Sequence, residues 1–204
     1  MNFAVLISGH GSNLQAIIDA LQRGEITAHL KLVISNRQEA LGLERAKKAG
    51  IKTLFVNPKD FTSQLSYDRQ LVIHLKQEKI DFVVLAGYMR LLTPFFVKEY
   101  PRRILNIHPS LLPSFKGTQG IKDAFTYGVK VTGATVHLVD TKTDHGPIIL
   151  QEMCHITERD TLQSLERKIH KIEHRIYPKA IQLFVEGRLK IQGRRVQIID
   201  EPQS

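Results

Sequence analysis

The segment Ile104–Pro113 reads ILNIHPSLLP, an apolar run broken by Asn106 and His108. On an extended strand alternate side chains share a face, so Asn106 and His108 project together while Leu105 and Ile107 face the other way. A neutral amide donor then lies beside a titratable imidazole at the end of a buried strand. Acyl transfer uses such a pair: a donor aimed at a developing oxyanion and a group that carries a proton. Pro109 disfavours helical backbone at His108 and helps hold the ring. Two polar residues satisfied where a strand enters a loop would look the same, so the chemistry needs further partners.

One candidate partner lies in the segment DTKTDHGP, Asp140–Pro147. A loop carboxylate at Asp144, brought near His108, would favour the charged imidazole and could relay a proton. Its plain alternative is an ordinary turn residue. His108, His137, His145 and Asp144 could also be read as zinc ligands. The chain has neither a His-Glu-x-x-His motif nor Cys/His ligand spacing, so no metal is expected. His137 is expected to pack within its strand.

The segment Ser8–Asn13, SGHGSN, follows the first apolar run and precedes a helical pattern. Free N–H groups and a partial positive charge at a helix start suit a phosphate, above all where glycine lets the backbone come close. The dinucleotide fingerprint wants a third glycine where this chain has Leu14, and an acidic residue where it has Ser35-Asn36-Arg37. A Walker loop wants a lysine that Gly11-Ser12-Asn13 lacks. A phosphomonoester therefore fits better than NAD or ATP. A tight turn capped by Ser12 would explain the loop equally well.

These residues need a frame, and the hydrophobic pattern supplies one. Strands are read at Phe3–Ser8, Leu30–Ser35, Thr53–Val56, Phe82–Ala86 and Arg103–His108. Helices are read at Ser12–Arg23, Leu41–Ala49, Ser66–Glu78 and near Pro94–Glu99, with Gly50 as a stop. The alternation predicts an α/β fold, a doubly wound, mostly parallel sheet flanked by helices. Further on come a short helix at Gly120–Tyr127 and long strands at Lys130–Val139 and Ile148–Ile156. A long C-terminal helix runs from about Thr161 to Glu186, capped by Asp160, closed by Gly187 and kinked or broken at Pro178. A hairpin at Leu189–Ile191 and Val196–Ile199 ends the chain.

With 204 residues, 42% hydrophobic and 24% charged, the chain suits one globular domain over residues 1–204. Residues 1–100 form a phosphate-binding, Rossmann-like half and residues 101–204 a catalytic half. No signal peptide or membrane-spanning run is read, and a lone Cys154 fits a reducing cytoplasm. The net charge of +9 attracts anions such as phosphorylated metabolites. The bases concentrate at Arg167, Lys168, Lys171 and Arg175 and at Arg194–Arg195. No stacking motif for RNA accompanies them, so nucleic acid is not the expected partner. A homodimer is left open.

Taken together, VLISGHGSNLQAIIDA, VVLAGYMRLL, ILNIHPSLLP, Asp144 with GPII, and EHRIYP at Glu173–Pro178 resemble the phosphoribosylglycinamide formyltransferase family, folate-dependent enzymes of purine synthesis. The resemblance implies a formyltransferase fold and formyl transfer from 10-formyltetrahydrofolate to the glycinamide amine, with Asn106, His108 and Asp144 catalytic. It implies that Gly11, Ser12, Asn13, His170 and Glu173 bind the substrate's phosphate and ribose. It implies that Gln64, Met89, Arg90, Leu91, Leu92 and Asp140 bind the folate, which takes the role of co-substrate. A cis bond before Pro113 is also implied. Gln64 stands where many members have arginine and His170 where some have glutamine. Lys116 replaces an expected proline and Gln119 a histidine. The nearest rivals are a formyltetrahydrofolate hydrolase and a methionyl-tRNA formyltransferase, which usually carry an extra domain. A basic nucleic-acid-binding module without catalysis is the alternative from another class.

Overall fold

In the computed structural model, which describes residues 1–200, the chain builds a seven-stranded sheet in the order β3-β2-β1-β4-β5-β6-β7. The first five strands are β1 (Asn2–Ile7), β2 (His29–Ser35), β3 (Lys52–Phe55), β4 (Phe82–Leu85) and β5 (Ile104–His108), and they pair in parallel. The last two, β6 (Val131–Leu138) and β7 (Ile148–His155), add antiparallel. The mostly parallel, doubly wound sheet is therefore present.

Alternation along each strand divides the core into two layers. Phe3, Val5 and Ile7 of β1 and Phe82 and Val84 of β4 face α1 (Ser12–Gln22), α2 (Leu41–Lys48) and α6 (Leu162–Val185). Ala4, Leu6, Val83 and Leu85 face α3 (Gln64–Gln77) and α4 (Pro94–Glu99) on the other side. Strands covered on both faces have little room for polar side chains, which is why β4 reads FVVL. In β5, Leu105 and Ile107 enter the first layer, leaving Asn106 and His108 on the opposite face, as the alternation predicts.

Three local expectations need correction. Helix α1 is capped by Gly11 in a left-handed conformation, and no side chain caps it, so Ser12 is its first residue and not its cap. Helix α6 is capped by Thr161, whose hydroxyl accepts from Ser164 N–H in a reciprocal capping box; Asp160 instead accepts from Ser164 Oγ at 2.7 Å. Helix α6 also continues through Pro178 as one element. Proline costs a free helix about 3 kcal/mol. Here Ile176, Tyr177, Ala180 and Ile181 are buried around it, and a large apolar side chain contributes about 1.5–3 kcal/mol on burial. The Tyr177 hydroxyl also lies 2.8 Å from the Leu85 carbonyl and 3.0 Å from that of Leu105, which ties α6 to the ends of β4 and β5.

A helix α5 (Gly120–Tyr127) precedes β6, and a separate hairpin of β8 (Leu189–Gln192) and β9 (Arg195–Ile198) follows α6. No helix is long and apolar enough to cross a membrane among the described residues.

Candidate active site

The carboxyl ends of β1, β4 and β5 lie side by side. Strand β1 has β2 on one side and β4 on the other, so the order in which parallel strands are added reverses there, the usual place for a ligand in such sheets. A cavity of about 270 Å³ opens beyond β4 and β5, lined by Asn106, His108, His137 and the whole of Asp140–Asp144. The three residues singled out for chemistry therefore converge in one cleft. His108 is only 3% exposed, and its Nδ1 lies 3.5 Å from Asp144 Oδ2.

Two loops set this geometry. The peptide bond between Leu112 and Pro113 is cis, and the loop after β5 returns the Phe115 carbonyl to His108 Nε2 at 2.8 Å. That carbonyl can only accept, so Nε2 donates. The Asp144 carboxylate faces the other ring nitrogen, Nδ1. Asp144 Oδ2 in turn accepts from Gly117 N–H at 2.8 Å. Phe115 (φ 49°) and Asp144 (φ 45°) both hold left-handed backbone, an uncommon state for residues with side chains and one that gathers at functional sites. Thr135, in register with His108 on β6, pins the first loop: its Oγ1 donates to the Ser110 carbonyl at 2.6 Å and accepts from Leu112 N–H at 3.1 Å.

His137 corrects an expectation. It does not merely pack within its strand but sits opposite Asn106 in the β5–β6 register and lines the cleft. Its Nδ1 donates to the Leu138 carbonyl at 2.9 Å, leaving a lone pair on Nε2 that accepts from Asn106 Nδ2 at 3.1 Å. Burial pushes the imidazole below its ordinary value, only partly offset by the Leu138 bond, so the ring stays neutral. A neutral His137 fixes which end of the Asn106 amide carries hydrogens and leaves its second N–H free. The register of two antiparallel strands carries this pairing, and no single strand's pattern reveals it.

Of the residues assigned to folate, Met89, Arg90, Leu91, Leu92 and Asp140 line the same cleft; Gln64 does not. Gln64 instead donates to the Leu91 carbonyl and supports the wall from outside. Met89 and Leu91 stand 57% and 64% exposed, so they present apolar surface to the cleft and not to the core. The Arg90 guanidinium lies 4.9 Å from the Tyr67 ring centre, and its buried Nε has no partner. Asp140 accepts from Lys142 N–H at 2.9 Å and meets His145 Nδ1 at 2.7 Å. Burial pushes its carboxyl up, but the His145 and Lys142 bonds outweigh that and hold it below its ordinary value.

Gly11, Ser12 and Asn13 form a second cluster at the start of α1. The first intrahelical bond here runs from Gln15 N–H to Gly11 at 2.9 Å, which leaves the amides of Ser12, Asn13 and Leu14 without helical partners. Gly11 has φ 74°, and a Cβ there would fall 2.6 Å from Gly42 Cα, so both backbone shape and close approach require glycine. Asn13 Nδ2 donates to Glu173 Oε2 at 3.1 Å, and His170 Nδ1 donates to the same oxygen at 2.9 Å. Glu173 is 3% exposed. The Glu173 bond raises the His170 imidazole above its ordinary value against the opposing effect of burial. Asn13 Oδ1 is buried without a partner. The bridge between the two clusters is Ser8: its Oγ accepts from Met89 N–H at 2.8 Å and donates to Asn36 at 2.6 Å.

Residues 1–181 match the formyl transferase family, so this fold is that of a formyltransferase. The chain is 44% identical to phosphoribosylglycinamide formyltransferase of Escherichia coli (strain K12) over 191 residues, 94% of this chain and 90% of that one. It is 47% identical to a trifunctional purine biosynthetic protein adenosine-3 of Drosophila pseudoobscura pseudoobscura over 92% of its own length, but spans only 14% of that protein. The crystal structure of glycinamide ribonucleotide transformylase 1 from Symbiobacterium toebii superposes with a TM-score of 0.96 at 50% identity, covering 98% of this chain and 94% of that one. The chain belongs to the phosphoribosylglycinamide formyltransferase family.

Proposed function

We propose that the protein transfers a formyl group from 10-formyltetrahydrofolate to the amine of 5-phosphoribosylglycinamide, a step of purine biosynthesis in the cytoplasm, with the chain acting as one formyltransferase domain. The observation that carries this reading is the convergence of Asn106, His108 and Asp144 in a cleft that shares the sheet's carboxyl edge with the amide cradle of α1.

The chemistry follows from charge. When an amine attacks a formyl carbon, its nitrogen becomes positive as the carbonyl oxygen becomes negative. Groups that bind those charges more tightly than the neutral reactants accelerate the step. Asn106 offers its free N–H to the oxygen. His108 opposes the same negative charge and delivers a proton toward the departing folate nitrogen. Asp144, beside His108, balances its charge and helps carry away the proton the amine must lose. Met89, Leu91 and Leu92 give an apolar wall for a flat heterocycle, and the Asp140–Asp144 loop gives backbone groups for its polar edge. The amides of Ser12 and Asn13 hold the phosphate, while Glu173 and the unpartnered Asn13 Oδ1 can accept from the acceptor's hydroxyls or amine.

The test is an assay of the purified protein with both substrates, following loss of the formyl group by absorbance. Turnover that requires the glycinamide acceptor is expected. No turnover, or equal turnover without acceptor, overturns the reading, and the second outcome would point to hydrolysis.

A further inference from the structure

The β8–β9 hairpin lies beyond the residues that match the family, yet its tip reaches the loop that carries Asp144. Gly193 (φ 60°) and Arg194 make the turn between the paired residues Gln192 and Arg195. Arg194 Nη1 lies 3.1 Å from both ring nitrogens of His145. His145 Nδ1 already meets Asp140 Oδ2 at 2.7 Å. Equal distances place the guanidinium over the imidazole and off the Nε2 lone pair, so it meets the ring face while Nδ1 keeps its contact with Asp140. Asp140 Oδ1 then accepts from Lys142 N–H at 2.9 Å, which closes the bracket across the loop. Inside it Asp144 keeps its left-handed backbone (φ 45°) and its 3.5 Å approach to His108. Asp144 therefore has an inner support in Gly117 and an outer one that runs through His145 to the hairpin.

We propose that Arg194 is a positioning residue that holds the Asp140–Asp144 loop in its working shape through His145. This deepens the proposed formyl transfer and rests on it, since the loop lines the cleft assigned to the formyl donor. Arg194 touches no substrate; it limits how far the loop opens. Its contact is at the surface, so the expected effect is moderate, about two- to fivefold.

Hydrogen exchange of the whole protein provides a test independent of turnover. In Arg194→Ala the amides of Lys142–Asp144 should exchange about two- to fivefold faster, while those of Gly9–Asn13 stay as they are. In steady-state assays the KM of the formyl donor should rise by a similar factor with the acceptor KM unchanged, and Arg194→Lys, which keeps the positive charge over the ring, should restore part of the loss. Adding Arg194→Ala to His145→Ala should change nothing further, because the support acts through that ring. Unchanged loop exchange, faster exchange spread over the whole chain, or additive effects of the two substitutions would overturn the proposal. Should the unaltered protein show no formyl transfer, the exchange measurement still decides the loop support while the activity reading falls.

Discussion

The two ends of the site are built from different materials. At α1 the groups proposed to hold the phosphate are backbone amides, set by Gly11 and its close approach to Gly42. At β5 they are side chains, aimed by loops that hold Phe115 and Asp144 in left-handed backbone. A backbone cradle binds a charge that does not change during the reaction, and the identities of neighbouring side chains matter little to it. Side chains are needed where charge develops and protons move, and their aim then depends on loops that must be held from several directions. Loss at the first end should weaken binding; loss at the second should slow chemistry.

Apart from His108, the largest contrast comes from Asn106→Ala. It removes the free donor and should lower kcat about 10²–10³-fold with little change in the acceptor KM; a rise in acceptor KM at constant kcat would erase the distinction between the ends. Gly11→Ala is its mirror image. The added Cβ meets the Gly42 backbone in a conformation that disfavours side chains, at a cost of about 1–3 kcal/mol. The acceptor KM should rise about tenfold or more while the donor KM holds, as steady-state kinetics would show, and Tm should fall. Thr135→Val then probes the loop supports. It leaves the buried Ser110 carbonyl and Leu112 N–H without Thr135 as partner, which should cost about 1–3 kcal/mol in denaturant unfolding and lower kcat rather than raise either KM.

The smallest effect is expected at His170, whose ring is hydrogen-bonded to Glu173 beside the cradle. Its folded value is raised above the ordinary 6.5 by the Glu173 bond. A raised value means that the contact stabilises fully below about pH 6.5 and that its contribution is lost as pH climbs through the folded value. The stability gap between the unaltered protein and His170→Ala should therefore be widest in mild acid and narrow toward neutral and alkaline pH. A gap that widens with pH would contradict the assigned contact.

Much of this architecture was legible because burial leaves a period in the chain. Phe3–Ile7 and Phe82–Leu85 are apolar on both faces since helices cover both faces. Asn106 and His108 stood out because polar residues are costly in such a strand. What escaped the reading depends on contacts remote in sequence. His137 faces Asn106 only because β5 and β6 pair antiparallel in one register, and nothing local specifies that register. Phe115 is no turn-former, so its left-handed backbone left no mark in composition. Pro178 reads as a kink or a break, and the helix runs on through it where Tyr177 and its neighbours are buried. Gln64 was assigned to the folate by resemblance alone; it lies outside the cavity lining and donates to the Leu91 carbonyl.

The account stands most directly on His108, and the decisive measurement is kcat with both Michaelis constants for His108→Ala, alongside its unfolding midpoint. A ring caught between the Phe115 carbonyl and the Asp144 carboxylate should, when removed, cost about 10²–10⁴-fold in kcat. The acceptor KM should stay near that of the unaltered protein and the fold should be retained. A variant that turns over at close to the normal rate would contradict the chemistry assigned to this cleft.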